Sequence, residues 1–165
     1  MYIVFDTECF KNRIIVLCAY FVERKFQKVY FENNIYEFAK LASNTNKFIG
    51  FNILDFDYKM LGQYFNVSRF IPSSLDILKV VKKEAGRGYS LDKLSYATLG
   101  LRKNGDGYQA IKWFKKGDIG KIIDYCKNDV YLTYKLYEFG RRNCFLYAPT
   151  KDGNNKKIVV DWSNF

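Results

Sequence analysis

Residues 2–31, YIVFDTECFKNRIIVLCAYFVERKFQKVYF, decide the fold. Three β-rich runs lie inside this stretch, at 2–8, 13–22 and 26–31, and the last of them alternates apolar with polar residues. The gaps between the runs are short and polar or basic, which suits hairpins, so the stretch predicts a three-stranded antiparallel meander. Asp6 and Glu8 stand two apart on the first strand, and both side chains therefore leave the same face. Two carboxylates aimed at one point repel each other unless a cation sits between them. Taken alone, the pair is also what a strand end would show if both acids simply faced water.

Outward from the meander, residues 34–43 have helical spacing, with Ile35, Phe38, Ala39 and Ala42 on one face. Phe48 to Phe51 reads as a buried strand, and Asn52 leads into a helix over 54–65. Further helices are predicted over 75–84, over 91–99 with Ser90 as N-cap, and over 118–139. Gly100, Asn104, Gly105 and Gly107 punctuate a loop. The tail from Cys144 to Trp162 reads as two strands joined at Asp152-Gly153-Asn154-Asn155, a C-terminal β-hairpin. The order β-β-β-α-β-α followed by helices describes an α/β domain, a mixed β-sheet flanked by helices. Residues 1–143 form that domain, and 144–165 are an extension of it.

The chain has 165 residues, the size of one domain, and 48 % of them are apolar. It contains no histidine. Ser-His-Asp and Cys-His catalysis, histidine-ligated zinc and imidazole acid/base chemistry are thereby excluded. Any catalysis falls to carboxylates, Tyr, Lys, Cys or a metal. Cys9, Cys18, Cys126 and Cys144 contain no C-x-x-C pair, which argues against a zinc site or a redox dithiol. With neither a secretory signal nor a membrane-length apolar run, the expectation is a protein of a reducing, cytoplasmic or otherwise intracellular compartment. The net charge of +10 points to a polyanionic partner, although a genomic bias towards Lys and Asn would give the same number. Between Lys79 and Lys116 there are ten basic residues against three acidic ones, Glu84, Asp92 and Asp106. A substrate-facing lobe has that distribution.

Two further motifs join Asp6 and Glu8. Tyr125 and Asp129 sit four apart on the long helix and share a face. Between the motifs runs Gly50-Phe51-Asn52-Ile53-Leu54-Asp55-Phe56-Asp57, a strand entering a helix through Gly and Asn. Asp57 falls in the first helical turn, where the dipole favours a carboxylate, and Asp55 is a candidate cap. Either motif alone also fits a solvated helix face.

Together, Phe-Asp-Thr-Glu at 5–8, Gly-Phe-Asn-Ile-x-x-Phe-Asp at 50–57 and Tyr-x-x-x-Asp at 125–129 resemble the three exonuclease motifs of the DEDD superfamily. The motif at 50–57 is similar to that of family-B DNA polymerase proofreading domains. The motif at 125–129 is similar to that of the tyrosine branch, since the sister branch requires a histidine. The resemblance covers residues 1–140. It implies a ribonuclease H-like fold and a 3′→5′ exonuclease with two divalent metal ions, Mg2+ or Mn2+, held by Asp6, Glu8, Asp57 and Asp129. Tyr125 would orient the attacking water, and nucleoside monophosphates would be released. Hard ions prefer oxygen ligands, which a histidine-free carboxylate cluster offers. The implied substrate is nucleic acid with a free 3′ end, single-stranded DNA or RNA. Relatives of this kind stand alone or are attached to polymerases and helicases, so the resemblance allows a helicase or polymerase partner. A different class of function is an inactive nucleic-acid-binding or scaffold module with the same fold.

Thr7, Phe10, Asn52 and Lys103 are secondary candidates for substrate contact. Phe10 would wedge between terminal bases, and Asn52 would bond the terminal nucleotide or else cap a helix. Lys103 would meet a phosphate, unless its loop is only a flexible connection. Cys9 and Cys126, beside the acidic motifs, are read as small buried fillers. Asp76 is read as structural, at the start of a helix, and Gly86-Arg87-Gly88 as a turn before Ser90, with substrate contact by Arg87 as the alternative.

Overall fold

The computed structural model describes residues 1–42, 47–162 and 165. Strands β1 (Tyr2–Phe10), β2 (Arg13–Phe21) and β3 (Phe26–Tyr30) form the expected meander. Helix α1 (Ile35–Ala42) then returns the chain to β4 (Lys47–Gly50), which lies parallel to β1. A short helix α2 (Asp57–Leu61) precedes β5 (Ser74–Asp76), parallel to β4. The result is one five-stranded mixed sheet in the order β3-β2-β1-β4-β5. Helices α3 (Ile77–Ala85), α4 (Leu91–Leu99), α5 (Gly107–Lys116) and α6 (Ile119–Asn143) follow, and β6 (Phe145–Pro149) with β7 (Asn155–Val159) close the chain as an antiparallel hairpin.

The two-residue period of β1 divides the core. Val4 of β1, with Val16 and Cys18 of β2, packs beneath α6 and α4, and the hairpin residues Leu146, Ala148, Ile158 and Val160 join this same cluster. Ile3, Phe5 and Leu17 point the other way, against Phe38 of α1 and Tyr58 and Leu61 of α2. Asp6 and Glu8 belong by parity to the α6 face, and the β1–β2 register shifts just after Glu8.

Several boundaries differ from the sequence reading. The helix expected over 54–65 is only α2, because Asn52 takes a left-handed backbone (φ 68°) and the following residues form tight turns before α2 begins. Phe56, not Asp55, occupies the N-cap; Asp55 instead pairs with Lys79. Residues 75 and 76 belong to β5 and not to a helix, too short a strand to show alternation. Residues 107–116 are helical, although the glycines at 105 and 107 suggest a loop. Position 43 of the predicted 34–43 helix lies outside the described residues, as do 163 and 164 of the tail. All four cysteines are free. Among the described residues, no helix is long and apolar enough to cross a membrane.

Gly50 fixes how β4 enters the turn carrying Asp57. A Cβ there would lie 2.0 Å from Cγ2 of the fully buried Ile53. Gly50→Ala is expected to cost about 2 kcal/mol in urea unfolding, as overpacking of a filled core does. A cost below about 0.5 kcal/mol would show that the turn yields easily.

Candidate active site

The fold gathers the motif residues around one cleft of about 320 Å³, whose lining includes Asp6, Glu8, Asp57, Tyr125 and Asp129. Asp6 and Glu8 arrive from β1. Tyr125 and Asp129 arrive from α6, and Asp57 from the first turn of α2. Oxygen atoms of Asp6, Glu8 and Asp129 lie within 4.8 Å of one another. Asp57 approaches from the opposite face of β1. Its Oδ1 accepts the Thr7 backbone N–H at 2.8 Å and the Thr7 hydroxyl at 2.7 Å. Asp76 holds the turn before it: its Oδ1 accepts the Asn52 N–H (2.9 Å) and its Oδ2 the Leu54 N–H (3.0 Å), while it also caps α3 through the Lys79 N–H. The structural role expected for Asp76 thus includes positioning the second motif.

The secondary candidates separate. Thr7 is committed to Asp57, and Asn52 lines the cleft with its N–H held by Asp76. Lys103 enters the site directly. Its Nζ lies 2.6 Å from Asp129 Oδ2 and 4.6 Å from the Tyr125 ring centroid. The loop bearing it is not a slack connection. The Lys103 N–H donates to Asp92 and the Asn104 N–H to Asn128, so the loop is tied to both α4 and α6. Phe10 does not line the cleft and instead packs on Phe114 of α5, with ring centroids 4.9 Å apart.

Three participants escape the sequence reading. The half-exposed Phe56 lines the cleft, and its place within the second motif is the available signal. Trp113 of α5 packs edge-on against Tyr125 at 6.1 Å, fixing a ring with little solvent exposure. Cys126 is more than a small filler: its thiol donates to the Asp6 carbonyl (3.4 Å) and to its Oδ2 (3.6 Å).

The electrostatics are those of a site short of positive charge. Burial, then the charges of Asp57, Asp129 and Glu8, hold the Asp6 carboxyl well above the ordinary carboxylate range. Burial and the charge of Asp129 push Glu8 up to about 8. Burial takes Asp57 to about 7 against the pull of the Thr7 hydrogen bonds. It takes Asp129 to about 6 against the pull of Lys103. Burial works against the charge of Lys103, but Asp129 outweighs it and holds the ammonium above its usual range. Burial and Asp129 also raise the Tyr125 hydroxyl, so it stays protonated at neutral pH.

A divalent cation fits this arrangement. Oδ1 of Asp129 is buried without a hydrogen-bond partner among the described residues, and the converging donors are all hard carboxylate oxygens. A pH signature follows. Carboxylates whose folded-state pKa lies above the unfolded value, near 4, stabilise the fold fully below that value and lose the contribution as pH rises through the folded pKa. Metal-free protein should therefore lose stability as pH rises from about 4 to about 8. Because a divalent cation bound by this cluster would offset the repulsion, the rise in melting temperature on adding such a metal should be at least about 4 °C larger at pH 8 than at pH 5. Equal rises at both pH values in a thermal melt would contradict a metal bound by this cluster.

Comparison with known proteins bears on the fold and the family. No curated protein matches the chain. A family B DNA polymerase from the hyperthermophilic archaeon Pyrobaculum calidifontis superposes with a TM-score of 0.66 at 14 % identity, over 85 % of this chain and 24 % of the polymerase. This chain thus spans about a quarter of that protein, and the likeness is one of fold. The family model of the RNase H superfamily matches residues 3–139, from the first strand of the sheet to the last turns of α6. The chain belongs to the RNase H superfamily.

Proposed function

We propose that this protein is a 3′→5′ exonuclease of the tyrosine branch of the DEDD superfamily, using two Mg2+ or Mn2+ ions to release nucleoside monophosphates from single-stranded DNA or RNA. The superfamily and the carboxylate cleft together support a nuclease. The observation that carries the finer reading is the meeting of Asp6, Glu8, Asp57 and Asp129 with Tyr125 in one cleft.

Asp6, Glu8 and Asp129 would hold one ion, and Asp6 with Asp57 the second. The ions would make water a competent nucleophile at neutral pH and neutralise charge on the scissile phosphate and the leaving 3′ oxygen. The protein's own residues then have separate tasks. Tyr125, kept protonated, donates or accepts a hydrogen bond to orient water and does not act as a base. Trp113 and the stitched Lys103 loop hold its ring in place. Lys103 stands at the cleft wall with its charge retained, where it can meet a substrate phosphate. Asn52 and Phe56, which line the cleft beside Asp57, would contact the terminal nucleotide. Water adds to phosphorus, the bond to the 3′ oxygen of the penultimate nucleotide breaks, and that oxygen takes up a proton as the monophosphate departs.

The test is incubation of 5′-labelled single-stranded DNA and RNA with Mg2+, Mn2+ or EDTA. A ladder shortening one nucleotide at a time from the 3′ end, abolished by EDTA, is the expected result and also reveals the preferred sugar. Binding without cleavage under every metal condition would overturn the enzyme reading and favour a scaffold module.

A further inference from the structure

A second cavity, of about 400 Å³, adjoins the catalytic cleft, and Tyr89 and Ser90 line both. Its remaining wall includes Arg87, Lys93, Thr150 and Lys151, three cations with no carboxylate among the lining residues. Basic residues elsewhere are commonly paired, as in Arg13 with Glu32, Lys79 with Asp55 and Arg102 with Asp92. Among the described residues, Arg87, Lys93 and Lys151 have no such partner. Three like charges held around one hollow repel each other, an arrangement that is relieved when an anion enters.

The cavity is assembled by elements distant in sequence. Arg87 is steered by its Nε, which donates to the Tyr89 hydroxyl at 2.8 Å. Tyr89 itself is buried and forms the partition between cavity and cleft. Lys93 stands in the first turn of α4. The C-terminal hairpin is fastened to that helix: the Thr98 hydroxyl donates to the Tyr147 carbonyl and accepts the Tyr147 N–H, both at 3.0 Å. This docking brings the β6–β7 turn, with Thr150 and Lys151, opposite Arg87. Asp152, the nearest acid in the turn, is folded back onto Thr150 and Asn154 and does not line the cavity.

We propose that this basic groove carries the phosphate backbone of the nucleic-acid strand that enters the catalytic cleft, and that the C-terminal hairpin supplies one of its walls. The inference rests on the nuclease reading for the identity of the strand. Continuity with the cleft and charge complementarity argue for the occupant, because a phosphodiester chain places anions at each nucleotide along both cavities. The cations are exposed, and the aromatic residue in this wall, Tyr89, is buried with Arg87 4.7 Å from its ring centroid, which suits backbone contact independent of sequence.

The test is binding, measured in EDTA so that it stands apart from cleavage. Fluorescent single-stranded oligonucleotides of 3 and 12 residues would be titrated against the full chain and a variant carrying Arg87→Gln, Lys93→Gln and Lys151→Gln. The expected result is at least a tenfold loss of affinity for the longer strand with a much smaller loss for the shorter one. The slope of log affinity against log salt should fall by about 2, near 0.7 for each of three lost phosphate contacts. A second variant, Lys93→Arg with Lys151→Arg, should keep wild-type affinity, which a misfolded protein would not. Unchanged affinity and salt slope in the glutamine variant would overturn the proposal even if the enzyme cleaves. Tight, groove-dependent binding by a protein that never cleaves would sustain the groove while removing the catalytic reading.

Discussion

Asp6→Asn is expected to lower hydrolysis by at least about 10³-fold while making the metal-free protein more resistant to heat. The two effects share one cause. Asp6 is repelled by Asp57, Asp129 and Glu8, and its carboxyl is held well above the ordinary range by burial and by those charges. An amide of the same shape can still accept the Cys126 thiol but contributes no negative charge. Without metal, it relieves the repulsion, so the melting temperature at pH 8 should rise. In the presence of metal, the same change removes the carboxylate shared by both proposed ions, so the metal-induced stabilisation should largely disappear. A merely structural Asp6 would behave differently: the substitution would lower thermal stability and leave residual activity in proportion to folded protein. Thermal melts with and without Mn2+, run beside single-turnover hydrolysis, separate the two cases.

Trp162→Ala is expected to cost about 3 kcal/mol in urea unfolding. Trp162 is nearly buried and stacks on Tyr137 of α6, with centroids 5.5 Å apart and planes 20° from parallel. It lies over Gly140, where a Cβ would come within 2.2 Å of the indole ring, so the glycine provides the space in which the ring sits. Its Nε1 is buried without a partner among the described residues, which offsets part of the gain from burying the ring and places the expected cost at the lower end of the range for a core aromatic. The loss should appear in the global transition, because Leu146, Ala148, Ile158 and Val160 of the hairpin share the cluster beneath α6. A cost below about 1 kcal/mol, or a separate early transition, would mean that the tail unfolds on its own.

Residues whose place follows from a local period are readable from the chain. Asp6 and Glu8 share a face because a strand alternates, and Tyr125 and Asp129 do so because a helix returns after four residues. The meander and the hairpin are legible for similar reasons, since β-rich runs and turn residues sit close together. What escapes depends on contacts between distant segments. Lys103 reaches Asp129 because Asp92 and Asn128 tie its loop to two helices, a fact that no window around Lys103 contains. Strand β5 is three residues long and is defined by pairing with β4. Helix α5 does carry a local sign, as Asp106 caps it through the Gln109 N–H, but the glycines at 105 and 107 suggest a loop. Phe10 has the position of a wedge from its nearness to Glu8, yet α5 supplies Phe114 to pack against it.

Superfamily membership alone does not distinguish cutting from an end and cutting within a strand, and that distinction is the core of the functional proposal. The direct measurement is incubation of linear and covalently circular single strands of the same sequence with the protein and Mg2+ or Mn2+, with products resolved over time. The linear strand should be consumed to nucleoside monophosphates, beginning at its 3′ end, and the circle should remain intact. Opening of the circle at a rate comparable to consumption of the linear strand would contradict the exonuclease assignment and point to internal cleavage at the same carboxylate centre.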